Sequence, residues 1–126
     1  MKYSLAILFS IITLSSFGQK DSTRKQYLGV LTLTEKYQDE KNWSANDQAI
    51  VGEHFQRLLK FKKEGVVVLA GRTEYEVNNP DMAGLVIFEA KDEKEALRFM
   101  MEDPAVKNKI MLAKVHPYSV AINKCE

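Results

Sequence analysis

The sequence has 126 residues, 45% of them hydrophobic and 28% charged, which is typical of one soluble globular domain. Its 18 Lys and Arg residues nearly balance 17 Asp and Glu residues, for a formal net charge of +1. A nucleic acid or an anionic membrane would require a clustered basic surplus, so we exclude both as partners.

The first 18 residues, MKYSLAILFSIITLSSFG, have the layout of a secretory signal peptide, with Lys2 near the start, an uncharged apolar run, and small residues at Ser16 and Gly18. A membrane anchor is the alternative. The uncharged stretch has only 16 residues, several of them Ser or Thr, whereas a spanning helix needs about 20 mostly apolar ones. We therefore predict cleavage after Gly18, export to the periplasm or the medium, and no integral membrane segment in the mature chain.

The first predicted elements are a strand and a long helix. Residues 19–25 are polar, and we expect a disordered lead-in. The segment QYLGVLTLT (residues 26–34) is rich in β-branched and aromatic residues and predicts a strand. A polar loop separates it from SANDQAIVGEHFQRLLKFKKEG (residues 44–65), which predicts an amphipathic helix. Its apolar pairs recur every four residues, Ser44 with Asp47 resembles a capping box, and a Gly stands where a C-terminal cap is expected.

Two further strands and a second helix follow. VVVLAGRT (residues 66–73) and AGLVIFEA (residues 83–90) predict strands, and the turn-rich loop between them suits a hairpin with an extended tip. DEKEALRFMME (residues 92–102) predicts a helix, with Asp92 as its N-cap. The side of this helix that we expect to be buried carries Ala96, Leu97, Met100 and Met101.

The chain closes with a short helix from Pro104 and a strand, LAKVHPYSVAI (residues 112–122), in which Pro117 indicates an edge or a bulge. Residues 123–126 form a tail. The order β-α-β-β-α-β, over one domain at residues 26–122, is that of the ferredoxin-like α+β fold. Such a sheet carries helices on one face only, and a large exposed apolar face is rare on a monomer. We therefore expect a homodimer in which two sheets pack face to face as an α+β barrel.

Several motifs resemble those of one family. GEHFQRLLKFKKEGVVVLAGRT has a His on the first helix, then a Gly and a strand ending in Ala-Gly. GLVIFEA follows as the third strand, EDPAVKNKI contains an Asp-Pro turn, and VHPYSVAI closes the domain. In this order they resemble the YCII-related family of small dimeric α+β-barrel proteins, over residues 27–122. The signal peptide and the longer loop before the first helix depart from the family pattern.

The resemblance implies a His and an Asp that face one pocket as a catalytic pair, and in this sequence these are His54 and Asp103. Most members of the family have no established reaction, and one branch resembles enzymes that eliminate HCl from chlorinated hydroquinones. The resemblance therefore implies a site more than a substrate.

Both residues also have a purely structural explanation. His54 shares the helix face of Ile50 and Leu58, where a hydrogen-bonded core histidine would fit. Asp103 precedes Pro104 and is suited to cap the short helix. The two roles of Asp103 are compatible, since one carboxylate oxygen can accept from an amide while the other orients an imidazole. We expect the two side chains to approach each other, either within ~3.2 Å or joined by one water.

Other candidates are fewer. Arg72, at the end of the second strand, is suited to bind an anionic group of a ligand, although an Arg at a strand end is often only solvated. No metal and no other cofactor is predicted, because the two His residues are far apart in sequence and the Met residues lack neighbouring His or Cys ligands. The only Cys, Cys125, excludes an internal disulfide and has no assigned role.

Two classes of function remain. In the first, the protein is a small lyase- or isomerase-like enzyme acting on a small aromatic or acidic compound, with His54 as general acid or base, Asp103 fixing its tautomer, and Arg72 holding an anionic group. In the second, it is a non-catalytic dimer that binds a small ligand in the same pocket or serves as a scaffold. An open cavity that reaches His54 is compatible with both classes.

Overall fold

The computed structural model describes residues 23–122, which form one four-stranded antiparallel sheet covered by helices on one side. The strands are β1 (Lys25–Leu33), β2 (Val67–Arg72), β3 (Gly84–Ala90) and β4 (Met111–Pro117). The helices are α1 (Ala45–Lys63), α2 (Glu93–Met101) and α3 (Pro104–Lys107). The strand order is β2-β3-β1-β4, which confirms the predicted ferredoxin-like fold. The predicted signal peptide, the tail and Cys125 lie outside the described residues.

The hydrophobic core lies between the sheet and the helices. Side chains alternate along β1 and β3, so that every second residue faces the helices. The buried apolar side chains of these two strands are Tyr27, Leu31, Leu33, Val86, Phe88 and Ala90. Leu58 of α1 and Met100 of α2 pack on them. Full burial of a large apolar side chain stabilises a folded protein by about 1.5–3 kcal/mol. The buried side chains of β1 and β3 therefore hold the sheet against the helices.

Helix α1 begins and ends as its sequence predicts. The Ser44 side chain accepts from the backbone N–H of Asp47, and the Asp47 side chain accepts from the backbone N–H of Ser44, so the capping box is complete. Gly65 follows the helix with φ of 76°, a conformation that glycine adopts without steric cost. Local hydrogen bonding thus defines both ends of the helix.

The loop between β1 and α1 is more ordered than the polar loop that we predict from sequence. It contains two 3₁₀ turns, Glu35–Gln38 and Glu40–Asn42. The hydroxyl of Tyr37 donates to Oδ1 of Asp47 at 3.0 Å, and Nε1 of Trp43 donates to the carbonyl of Tyr37 at 2.9 Å. These bonds tie the loop to the start of α1.

Two expectations from the sequence are wrong in part. In α2, Ala96 and Met100 are buried as predicted, but Leu97 and Met101 are 49% and 50% exposed. The sheet covers only a narrow stripe of this nine-residue helix, and these two positions lie beside that stripe. Strand β4 is an edge strand, as Pro117 indicates, but it ends at Pro117 rather than continuing to residue 122. Proline has no N–H with which to extend the ladder.

Strand β2 carries a bulge at Val68, which decides the face that Arg72 occupies. Val67 pairs with Phe88, which faces the helices, and after the register shift Arg72 pairs with Gly84. Directly opposed residues share a face, and Gly84 lies an even number of positions from Phe88. Regular alternation from Val67, without the extra residue, would put Arg72 on the opposite face. The bulge therefore turns Arg72 to the helix side of the sheet.

Candidate functional site

His54 of α1 and Asp103 at the start of α3 are in direct contact. Nδ1 of His54 lies 2.8 Å from Oδ2 of Asp103, although 49 positions separate the two residues. The other carboxylate oxygen, Oδ1, accepts from the backbone N–H of Ala105 at 2.9 Å. Asp103 is only 1% exposed, so it is held both by the helix that it caps and by the imidazole. Its two predicted roles occur together.

This contact determines which nitrogen of His54 carries a hydrogen. An ionised carboxylate only accepts hydrogen bonds, so Nδ1 is the donor to Asp103. In the neutral ring, Nε2 then holds a free lone pair. Within residues 23–122, no protein group bonds to Nε2. The imidazole is thus oriented at one nitrogen and available at the other.

Arg57 is the third member of this cluster, and it is not among the candidates from sequence. Its Nη1 lies 3.5 Å from Oδ2 of Asp103, and its Nη2 donates to the carbonyl of Phe99 at 2.7 Å. The guanidinium carbon lies 4.4 Å from the ring centroid of Phe99 and 4.8 Å from that of Phe61. A helical spacing of three residues places Arg57 on the face of His54, and this signal was present in the sequence.

The surroundings of Arg57 make its charge part of the cluster. Burial lowers the pKa of its guanidinium, while the negative charges of Asp103 and Glu102 act in the opposite direction. Its buried Nη1 makes no hydrogen bond to any group that the structure describes, so the ion pair with Asp103 is its main polar contact. Arg57 thereby balances the buried carboxylate whether or not His54 is charged.

A cavity of about 690 Å³ adjoins His54. Its walls are mainly apolar and include Trp43, Phe55, Leu58 and Met111. This volume lies within the range of about 300–1,000 Å³ typical of small-molecule sites. The described lining contains no Asp or Glu, and its charged side chains are Lys62 and Arg72.

Arg72 shares this cavity with His54, but it does not join the cluster. No hydrogen bond or ion pair links its side chain to another described residue. The second histidine, His116, pairs with Leu28 of β1 on the sheet face away from the helices. The structure therefore brings His54, Asp103 and Arg57 together, places Arg72 in the same cavity, and leaves His116 outside it.

No group of three or more His, Cys, Asp or Glu side chains among residues 23–122 is arranged to hold a metal ion. No helix described here is both long and apolar enough to cross a membrane.

Comparison with known proteins identifies a family. The sequence matches the family model described as YCII-related domain over residues 20–117. The matched range includes four residues of the candidate site, His54, Arg57, Arg72 and Asp103. It ends at Pro117, the last residue of β4. A comparison with curated proteins found no match.

Proposed function

The chain belongs to the YCII-related domain family, and from this membership and the geometry of the site we propose that it is a lyase- or isomerase-type enzyme acting on a small aromatic or acidic compound. The observation that carries this proposal is the 2.8 Å contact between Asp103 and a histidine that lines a cavity. Asp103 and Arg57 form the support of the site, and His54 is its reactive group.

In the proposed reaction, Nε2 of His54 removes a proton from a carbon or hydroxyl of the bound molecule. The carboxylate of Asp103 stabilises the resulting imidazolium, because an opposite charge at hydrogen-bond distance favours the protonated ring. In an elimination, the electron pair left behind expels a leaving group; in an isomerisation, His54 returns the proton to another atom. Arg72 is proposed to bind an anionic group of the substrate, and the apolar walls keep water from the reacting atoms.

The second candidate function is non-catalytic binding of a small ligand by the same cavity. One observation favours it. His54 is the only described lining residue whose ordinary pKa lies near neutrality, and the lining contains no Asp, Glu, Tyr or Cys to act as a partner acid. A reaction that needs separate acid and base groups would then depend on His54 alone or on the substrate.

Hydrogen exchange distinguishes these two functions. The protein is incubated in D₂O with a panel of small aromatic and acidic compounds, and deuterium incorporation at carbon is followed by NMR. We expect exchange with at least one compound, its loss in His54→Gln, and its retention in His116→Gln, which makes the same chemical change outside the cavity. Compounds that bind without exchange in the wild-type protein would instead support the binding function.

We also propose that the protein is a homodimer formed through the sheet face that the helices leave uncovered. Leu69, Leu85 and Leu112 project from that face and are 56%, 37% and 58% exposed. Exposed apolar side chains grouped on one face mark interaction sites, and a stable interface buries roughly 1,200 Å² or more in total.

Light scattering tests the dimer. The mature protein should have about twice the mass of one chain, and Leu112→Glu should shift it to the mass of one chain, because a carboxylate would be buried in the interface. Leu97→Glu is the control, since Leu97 is 49% exposed on α2 and lies away from that face. A wild-type monomer would contradict the proposal.

Export is the third part of the proposal, and it rests on the signal-peptide layout of residues 1–18. Intact mass of the protein from its native host should show loss of these residues or close to it. A full-length product retained inside the cell would contradict export.

A further inference from the structure

The cavity beside His54 has a charge pattern that selects among ligands. Its described lining contains two cations, Lys62 and Arg72, and no carboxylate. Neither cation has an ion-pair partner in the described chain, whereas Arg24 pairs with Glu95 at 3.3 Å. A mainly apolar cavity with uncompensated positive charge attracts an anion that is otherwise apolar, and it repels a cationic ligand.

The register of β2 determines the face of the sheet that Arg72 occupies. The bulge at Val68 places Arg72 on the helix side of the sheet, opposite Gly84, which has no side chain to cover it. Bulges often re-aim a side chain next to a functional site. The guanidinium is thus directed to the side of the sheet where α1 carries His54.

The two cations come from different elements that line the cavity. Lys62 follows His54 by eight residues on α1, about 12 Å along the helix axis at the usual rise. Strand β2 begins at Val67, close after the end of α1, and Arg72 is its last residue, at most about 17 Å along the strand from Val67. Lys62 therefore lies near the connection between α1 and β2, and Arg72 lies at the end of β2 away from that connection.

The positive charge of Lys62 has a structural role in its own helix, whereas that of Arg72 does not. It belongs to the last turn of α1, where a positive side chain is favoured by the helix dipole. Arg72 is exposed, lies on no helix and has no ion-pair partner among residues 23–122, so its charge is free to bind a ligand. A guanidinium also binds a carboxylate through two parallel hydrogen bonds.

We propose that this cavity binds an apolar carboxylate, with its carboxylate group on Arg72 and its hydrocarbon body against Trp43, Phe55 and Leu58. This inference deepens the proposed function and rests on it in using the same cavity. Binding and proton transfer are nevertheless measured separately, so either can fail alone.

Calorimetry with three matched probes tests this assignment in the mature protein at 0.15 M salt. The probes are naphthoate, its neutral analogue naphthamide and its cationic analogue naphthylmethylamine, and decanoate serves as an aliphatic carboxylate. We expect naphthoate to bind at least about tenfold more tightly than naphthamide and the amine to bind most weakly. Binding of decanoate as well would extend the class from aromatic to aliphatic carboxylates, and its failure would restrict it to aromatic ones.

Variants then identify the residue that holds the carboxylate. Arg72→Gln should abolish the tenfold preference for naphthoate over naphthamide, Arg72→Lys should restore part of it, and Lys62→Gln should retain it. Circular dichroism and light scattering verify that each variant keeps the fold and assembly. Equal binding of naphthoate and naphthamide, an unchanged preference in Arg72→Gln, or no binding of any probe at millimolar concentration would overturn the inference.

These outcomes separate this inference from the proposed reaction. Naphthoate bound through Arg72, with no deuterium exchange for any compound, would retain the ligand class and reject proton transfer by His54. Exchange that depends on His54 but occurs equally well with neutral compounds would retain the reaction and reject the carboxylate.

Discussion

Asp103 holds His54 with one carboxylate oxygen and caps α3 with the other. Oδ2 lies 2.8 Å from Nδ1 of His54, and Oδ1 accepts from the backbone N–H of Ala105 at 2.9 Å. The carboxylate is therefore held by the backbone at one oxygen and by the imidazole at the other. A single residue links α1 to α3 and orients the reactive ring, so its loss should affect both stability and the site.

Replacing Asp103 should separate its capping role from its charge. Asp103→Ala removes the cap and leaves Arg57 without its buried anion, so the free energy of unfolding should fall by about 3 kcal/mol or more. Asp103→Asn keeps an oxygen able to cap α3 and should lose about 1 kcal/mol less. Urea denaturation measures both. Equal losses in the two variants would show that the cap contributes nothing.

Arg57 should stabilise the packing of α1 on α2 as well as the charge of Asp103. Its Nη2 donates to the carbonyl of Phe99, so Arg57→Met should lower the free energy of unfolding by about 2 kcal/mol through loss of the ion pair and this hydrogen bond. Arg57→Lys should lose less, because it keeps the charge but not the fork geometry. The exposed neighbour Gln56 provides the control variant Gln56→Met. An effect of Arg57→Met no larger than that of this control would contradict the prediction.

Replacing Gly52 and Gly65 by alanine should change the free energy of unfolding in opposite directions. Gly52 lies inside α1 with open space where a Cβ would be, so Gly52→Ala should raise the free energy of unfolding by about 0.5–1 kcal/mol. Gly65 has φ of 76°, and Gly65→Ala should lower that free energy by about 1 kcal/mol, because an L side chain is strained there. Chemical denaturation of both variants checks the pair. The same sign for both would contradict this account of the helix end.

The capping box of α1 should make stability depend on pH in acid. Hydrogen bonds from the side chain and then the backbone of Ser44 are the main causes that lower the pKa of Asp47 from 3.8. A pKa that is lower in the folded state means that the stabilising contribution is present above pH 3.8 and is lost as the pH falls through the folded value.

Comparison with Asp47→Asn isolates this effect. The difference in free energy of unfolding between the wild-type protein and this variant should be constant at pH values of about 7 and 5 and smaller near pH 3. Urea titrations at these values measure the difference. A difference that grows towards acid would reverse the sign and contradict the lowered pKa.

Much of the fold is predictable because local interactions encode it. The capping box of α1, the Asp92 cap of α2 and the glycine after α1 act within a few residues of chain, and the alternation of apolar side chains identifies the strands. The approach of Asp103 to His54 was also expected, although only through a family resemblance and the order of elements. The match to the YCII-related domain model confirms the family resemblance itself.

Periodicity on one helix contained the signal for Arg57, but it could not identify the partner of that residue. Arg57 meets Asp103 and Phe99 only because α1 lies against the end of α2 and the start of α3. The exposure of Leu97 and Met101 likewise depends on how much of α2 the sheet covers.

The order of elements, the ends of the helices and the capping role of Asp103 are predictable from the sequence alone, because each follows from contacts between near neighbours in the chain. The face that Arg72 occupies depends instead on strand pairing in the folded protein. A single unpaired residue, Val68, reverses the alternation of the rest of β2, and pairing with β3 selects that register. Strand register depends on a partner that is remote in sequence, so the cavity that places Arg72 with His54 is a property of the assembled sheet.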